Sequence, residues 1–223
     1  MAVELPPDAA SVTVPGTKEE VAAAAPGADA AVLGLLVFSA GGTVLGVSLL
    51  GYVSAAAQGG SVMPIILAAT GLGVFITTLW SAMLGQTFVA AVFGAFTGFW
   101  WSYAVLVLGL VHNWFGIPAS QVTHTVAQFL FAWAVVILCL AVVSTRVPST
   151  YTAILTSALI AVCLLIAGTL DSSTTLTKIA GVFTLIYSAL GFYAFVAQGM
   201  ASVGGTPMPL GTPVATMMER RAP

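Results

Sequence analysis

Charged side chains are scarce in this sequence. Its 223 residues include five Lys or Arg and seven Asp or Glu, so 5% of the chain is charged while 59% is hydrophobic. A soluble globular domain has about 25% charged residues. The composition therefore argues against an ordinary soluble domain and predicts that most apolar side chains face lipid. The few basic residues are scattered and form no patch, so nucleic acid is not an expected partner.

Charge is also missing from the interiors of the long apolar stretches. Between Asp29 and Glu219 the charged residues are Arg146, Asp171 and Lys178, and each falls in a predicted loop or at a helix start. Proton pumps, voltage sensors and many coupled transporters place ionisable residues inside their membrane spans. The sequence therefore predicts no intramembrane proton relay.

Residues for catalysis or metal binding are few. His112 and His124 flank one loop, away from any buried serine that a base could activate, and a zinc site needs three or four converging ligands. Cys139 and Cys163 lie inside apolar runs, where they are interpreted as small buried hydrophobes rather than a disulfide or a metal pair. We expect no enzymatic activity, no metal and no cofactor.

Six apolar stretches are each long enough to cross a bilayer. A hydrocarbon core about 30 Å thick requires about 20 helical residues, and backbone polar groups in lipid must be paired within the helix. The predicted fold class is an all-α integral membrane protein, a bundle of six transmembrane helices within residues 29–203. The predicted spans are about 31–53, 62–84, 87–111, 125–144, 151–170 and 176–202.

Both ends of the chain are polar or rich in Gly and Pro. Residues 1–28 contain four acidic residues and four prolines but no secretory signal, so they predict a disordered leader. Residues 204–223 predict a flexible tail. A cytoplasmic N-terminus leaves Lys178 alone outside and places four basic residues inside: Lys18, Arg146, Arg220 and Arg221. We therefore expect a multi-pass protein of the cell membrane with both termini cytoplasmic.

Small and aromatic residues take the place of charge inside the spans. Gly42-x-x-x-Gly46 and Gly94-x-x-x-Gly98 allow helices to approach closely, either within the chain or between subunits. In the third span, helical spacing puts Phe96, Trp100 and Tyr103 on one face.

These motifs resemble the acetate uptake transporter family, which includes the bacterial succinate–acetate permeases. The family signature Asn-Pro-Ala-Pro-Leu-Gly-Leu appears as Asp29-Ala-Ala-Val-Leu33-Gly34-Leu35, which keeps Leu-Gly-Leu but loses Asn and both prolines. The Asn-Thr-Phe that opens the third helix appears as Gln86-Thr87-Phe88, and an aromatic block follows at 93–100. The tryptophan of helix four is Trp133, and Pro209-Leu210-Gly211 matches a motif near the C-terminus.

The resemblance implies six helices arranged as in proton-gated urea channels, cytoplasmic termini, and a hexamer with a separate path in each protomer. It also implies an apolar constriction made by Phe, Tyr and Leu from helices one, three and five. Those positions correspond to Phe38, Phe96 and, by ungapped spacing from Trp133, Ala158 with Leu159 beside it. Thr97 and Trp100 are expected close to this neck. Many members carry a glutamate where this chain has Ser81.

The expected function is therefore membrane transport of acetate or a related small mono- or dicarboxylate, by a channel or a proton-linked pathway in each protomer. The expected partners are membrane lipid, a small carboxylate and further copies of the chain. Two alternatives remain open. The lack of intramembrane charge also suits a channel for urea, amides or ammonia, and a membrane scaffold without transport is the third class.

Overall fold

The computed structural model describes residues 29–54, 57–206 and 208–219. Over these residues the chain is all-helical, and six helices are long and apolar enough to cross a membrane. We number them α1 (Ala31–Leu49), α2 (Gly59–Met83), α3 (Thr87–Val111), α4 (Ala119–Ser144), α5 (Ser149–Leu170) and α6 (Thr174–Ser202). A short helix, α7 (Val214–Glu219), follows. The predicted fold class is confirmed for the described residues. The predicted leader lies outside them.

Two helix ends differ from the sequence-based ranges by four residues or more, and the others agree within three. The first span was expected to reach residue 53, but α1 ends at Leu49, because Gly51 turns the chain with φ +91°. The fourth span was expected to begin near residue 125, but α4 begins at Ala119 directly after Pro118. Proline is well tolerated at the start of a helix, because the N–H group that it lacks would have no helical partner there. The added turns of α4 are polar, so hydropathy alone does not include them.

The six long helices form a closed ring. Each packs against its neighbour in sequence, and α6 returns to pack along α1. The contact between α3 and α4 depends on large aromatic side chains more than on close backbones. Phe99 of α3 lies 5.5 Å from Trp133 and 6.5 Å from Phe129 of α4, measured between ring centroids. The ring encloses a core of buried side chains and leaves a membrane-facing outer surface.

That outer surface is apolar. Large side chains such as Phe131 and Val142 are more than half exposed, as expected for side chains that contact lipid tails. Cys139 and Cys163 are exposed on this surface as well. The prediction that both cysteines are buried is wrong, because their apolar surroundings in sequence reflect lipid contact rather than a protein core.

Hydroxyl side chains in the spans mostly bond to their own helix. A Ser or Thr hydroxyl donates to the carbonyl four residues earlier at Thr43, Thr77, Thr78, Thr97, Thr184 and Ser188. Such bonds satisfy a hydroxyl without any ligand. Thr70 is different, because its Oγ1 donates to the carbonyl of Val37 at 2.9 Å and joins α2 to α1.

The end of the chain packs onto the α4–α5 turn. The amide of Ala215 donates to the carbonyl of Thr145 at 3.0 Å, and Arg146 forms an exposed ion pair with Glu219 at 2.9 Å. The segment 208–219, for which the sequence predicts flexibility, therefore makes specific contacts in the structure.

Candidate functional site

A cavity of about 390 Å³ opens at one end of the helix ring. We call it the vestibule. Its volume lies near the lower end of the range of about 300–1,000 Å³ that is common for small-molecule sites. The walls come from α1, α3, α5 and α6, from the residues just before α1 and α3, from the α4–α5 turn and from the segment after α6. Most of the lining is apolar, and Asp29 is the one charged residue among the lining residues of the described chain.

Seven buried apolar side chains from α1, α3 and α5 line the vestibule, and they include two phenylalanines in contact and a leucine of α5. Phe38 of α1 is 3% exposed, Phe96 of α3 is 5% exposed, and Leu155 of α5 is 3% exposed. The two phenylalanine rings meet edge to face, with centroids 4.6 Å apart. We call these three residues the neck. Behind Phe38 lie the buried rings of Tyr187 and Trp100, at centroid distances of 5.2 and 6.2 Å, and neither lines the vestibule.

Two of the six predicted pathway residues line the vestibule. Phe38 and Phe96 are in contact, but Ala158 is buried without lining the vestibule, and Leu159 is partly buried beside the core. Thr97 donates to the carbonyl of Phe93 at 2.8 Å. Trp100 is fully buried, and no described group pairs with its indole Nε1.

Leu155 is the residue that sequence spacing misses. It precedes Ala158 by three positions on α5, so both share one helix face, and both are buried. Ungapped counting from Trp133 selects the alanine, yet the neck of the resembling family uses a leucine. The structure shows that Leu155 lines the vestibule and that Ala158, one turn further along α5, does not.

Four of the seven signature positions at the starts of α1 and α3 line the vestibule: Asp29, Leu35, Gln86 and Phe88. Asp29 accepts a hydrogen bond from the amide of Ala31 at 3.0 Å, next to the start of α1. Gly34 is buried against the ring of Phe93, which occupies the space that a Cβ would need. Leu33 is partly buried and Thr87 is exposed, and neither lines the cavity.

Polar atoms at the mouth are incompletely paired. Gln198 of α6 donates through Nε2 to the hydroxyl of Tyr151 on α5. The side-chain oxygens of Gln198 and Gln86 are buried and have no hydrogen-bond partner among the described residues. Both residues line the vestibule, but their side-chain oxygens are covered by neighbouring atoms, so a side-chain movement would be needed before either one met a solute. No cluster of three potential metal ligands occurs in the described parts of the chain.

A second cavity, of about 500 Å³, lies near the α1–α2 connection at the other end of the ring. Its walls include Thr43, Tyr52 and Phe192. It contains none of the predicted pathway residues.

Comparison with known proteins gives a family and a fold. A model of the GPR1/FUN34/yaaH family matches residues 14–211. A solved structure of the bacterial acetate channel SatP is similar, with a TM-score of 0.73 and 21% sequence identity over 82% of this chain and 99% of that chain. No curated protein sequence matches. At this identity the structural similarity establishes the fold.

Proposed function

Because this chain belongs to the GPR1/FUN34/yaaH family, we propose that it conducts acetate or a related small carboxylate across the membrane through a path inside each protomer. The observation that carries the proposal is the vestibule that reaches the buried neck of Phe38, Phe96 and Leu155. The solved acetate channel SatP shares the fold. The family and this neighbour support a transport protein rather than an enzyme.

The neck favours the protonated form of the solute. Removing a carboxylate from water costs several kcal/mol unless a partner compensates it. The lining residues that the structure describes include no cation, and Asp29 among them would repel an anion. The acid form carries no charge and escapes this cost. The pKa of a small carboxylic acid is about 4–5, and its neutral fraction falls about tenfold for each pH unit above the pKa. Uptake should therefore rise as the outer solution becomes more acidic.

Uptake of labelled acetate into proteoliposomes tests this proposal. We expect uptake above that of protein-free liposomes, and a larger excess when the outer solution is more acidic than the lumen. Protein-free liposomes under the same gradient are the necessary control, because neutral acetic acid also crosses lipid unaided. Uptake equal to that control at every pH would reject the proposal.

A channel for urea or amides is the second candidate function. Gln86 and Gln198 line the vestibule and have side-chain oxygens without a described partner. After a side-chain rotation that exposes them, these oxygens would accept hydrogen bonds from N–H groups as well as from an acid hydroxyl. Unlabelled urea added in excess distinguishes the two. Strong competition with labelled acetate favours a general path for small polar solutes, and its absence favours a carboxylate path.

We also propose that both termini are cytoplasmic and that the protein is a hexamer. Asp29 and Leu210 both line the vestibule, which supports an arrangement with both ends of the described chain on one side. Arg146 forms an ion pair with α7 on that side, in keeping with the excess of basic residues on cytoplasmic faces.

Native mass spectrometry of the solubilised protein tests the proposed hexamer by counting the protomers. Any number other than six would contradict it.

A further inference from the structure

The Pro209-Leu210-Gly211 motif contributes a wall of the vestibule. Leu210 is half-buried, packs against the core and lines the cavity together with Pro148 and Tyr151 of the α4–α5 turn and α5. This segment follows the last span and belongs to none of the six helices. A side chain from outside the helix ring therefore helps to define the space available to a solute at the mouth.

Hydrogen bonds hold the backbone on both sides of this leucine. The carbonyl of Leu210 accepts from the amide of Thr150 at 3.1 Å and from its Oγ1 at 2.8 Å. The carbonyl of Pro209 accepts from the hydroxyl of Tyr193 at 2.6 Å. Anchors from α5 and α6 thus fix the position from which Leu210 reaches the vestibule.

Gly211 is required by the turn that follows. Its φ is +82°, a conformation that is strained for residues other than glycine, and the Oγ of Ser149 occupies the place of a Cβ. Beyond it, α7 bonds to the α4–α5 turn through Ala215 and Glu219. The motif thus combines a carbonyl that is anchored, a side chain that lines the cavity and a glycine that turns the chain away.

We propose that Leu210 determines which carboxylic acids bind in the vestibule by limiting the length of their hydrocarbon chain. This inference rests on the proposed function. The alanine variant lacks three carbon atoms at the mouth, and the freed volume accommodates longer acids. A single methylene in an enclosed apolar pocket changes selectivity by about 10- to 200-fold. Because Leu210 is half-buried, we expect a smaller change, of roughly threefold or more.

Competition during acetate exchange measures binding without requiring that the competitor passes the neck. Proteoliposomes exchange labelled for unlabelled acetate at equal pH on both sides, with butyrate present on both sides. In Leu210→Ala, the butyrate concentration that halves exchange should fall at least about threefold relative to wild type, whereas that of unlabelled acetate should change little. Leu210→Met retains the side-chain volume and should behave like wild type.

Two further variants distinguish an effect of the Leu210 side chain from an effect of the whole segment after α6. Met217→Ala changes an exposed residue of α7 that does not line the vestibule, and its competition should match wild type. Thr150→Val loses one of two hydrogen bonds to Leu210 and should shift butyrate competition in the same direction as Leu210→Ala, but less.

The outcomes separate the two proposals. Wild type without acetate exchange above protein-free liposomes would reject the proposed function and this inference with it. Wild-type exchange together with equal butyrate competition in wild type and Leu210→Ala would reject the inference alone. An equal shift in Met217→Ala would assign the effect to a loosened tail and would also overturn the role of Leu210.

Discussion

Single residues at the neck explain how a path can exist without charge. Phe38 and Phe96 bring two rings together edge to face, a preferred arrangement for aromatic pairs, and Leu155 completes an apolar lining. Such a lining does not compensate the desolvation of an anion. A neutral molecule avoids this cost, so an apolar neck on the proposed path would favour uptake of the protonated acid.

Replacing Phe96 with alanine should therefore change both the rate of acetate uptake and its dependence on pH. In Phe96→Ala we expect uptake to rise severalfold and to depend less steeply on pH, because water entering the widened neck can hydrate the anion. Liposome uptake across a series of outer pH values measures both, and size-exclusion chromatography checks that assembly persists. Phe131→Ala removes a lipid-facing ring and is the matched control. Wild-type flux and pH profile in Phe96→Ala would remove this residue from the path.

At the scale of helices, glycines set the contact between α1 and α6. The space beside Gly42 is filled by Ser188 and Tyr187 of α6, and Gly46 lies against Leu185 and the backbone of Gly181. In the second motif, Gly94 faces Thr78 of α2 and Gly98 faces Trp133 of α4. Both Gly-x-x-x-Gly motifs thus serve packing within the chain. The α1–α6 contact closes the helix ring and places Phe38 beside Tyr187.

A methyl group at this contact should destabilise the fold. Gly42→Ala places a Cβ where Ser188 and Tyr187 already lie, and such overpacking costs about 1–3 kcal/mol. Gly199→Ala is the matched control on α6, since nothing lies within 4 Å of its Cβ position, and alanine there should be neutral or stabilise by up to about 1 kcal/mol. Thermal unfolding in detergent compares the two. Equal midpoints would show that the contact tolerates a side chain.

At the scale of the whole molecule, the two ends of the helix ring differ. Asp29, the α4–α5 turn and the chain after α6 meet around the vestibule, whereas the α3–α4 connection belongs to the opposite end. Trp114 and Phe115 are exposed there, as is common for aromatic residues at a membrane interface. This asymmetry allows the proposed orientation to be tested from either side.

Labelling of engineered cysteines should reveal which end faces the cytoplasm. In a background carrying Cys139→Ala and Cys163→Ala, we expect His112→Cys to react with a membrane-impermeant maleimide in intact cells. Thr212→Cys should react only after the membrane is permeabilised. Both positions are exposed in the structure. The reverse pattern would place the termini outside and contradict the orientation proposed here.

The sequence alone determined the class of molecule. Six apolar stretches without internal charge require membrane-spanning helices, since a bilayer fixes both their length and their internal hydrogen bonding. The motifs around Leu33-Gly34-Leu35 and Phe93–Trp100 indicated the family, and the match over residues 14–211 confirms it. They also led to Phe38 and Phe96, which the structure places in contact.

The tertiary structure alone decided the rest of the vestibule. Whether Leu155 or Ala158 reaches it depends on the rotation of α5 within the ring, which hydropathy does not encode because lipid-facing and core-facing residues are both apolar. The segment that carries Leu210 is held by hydrogen bonds from Tyr193 to the carbonyl of Pro209, 16 positions away, and from Thr150 to the carbonyl of Leu210, 60 positions away. Such long-range contacts depend on ring closure, and no local pattern of residues specifies them.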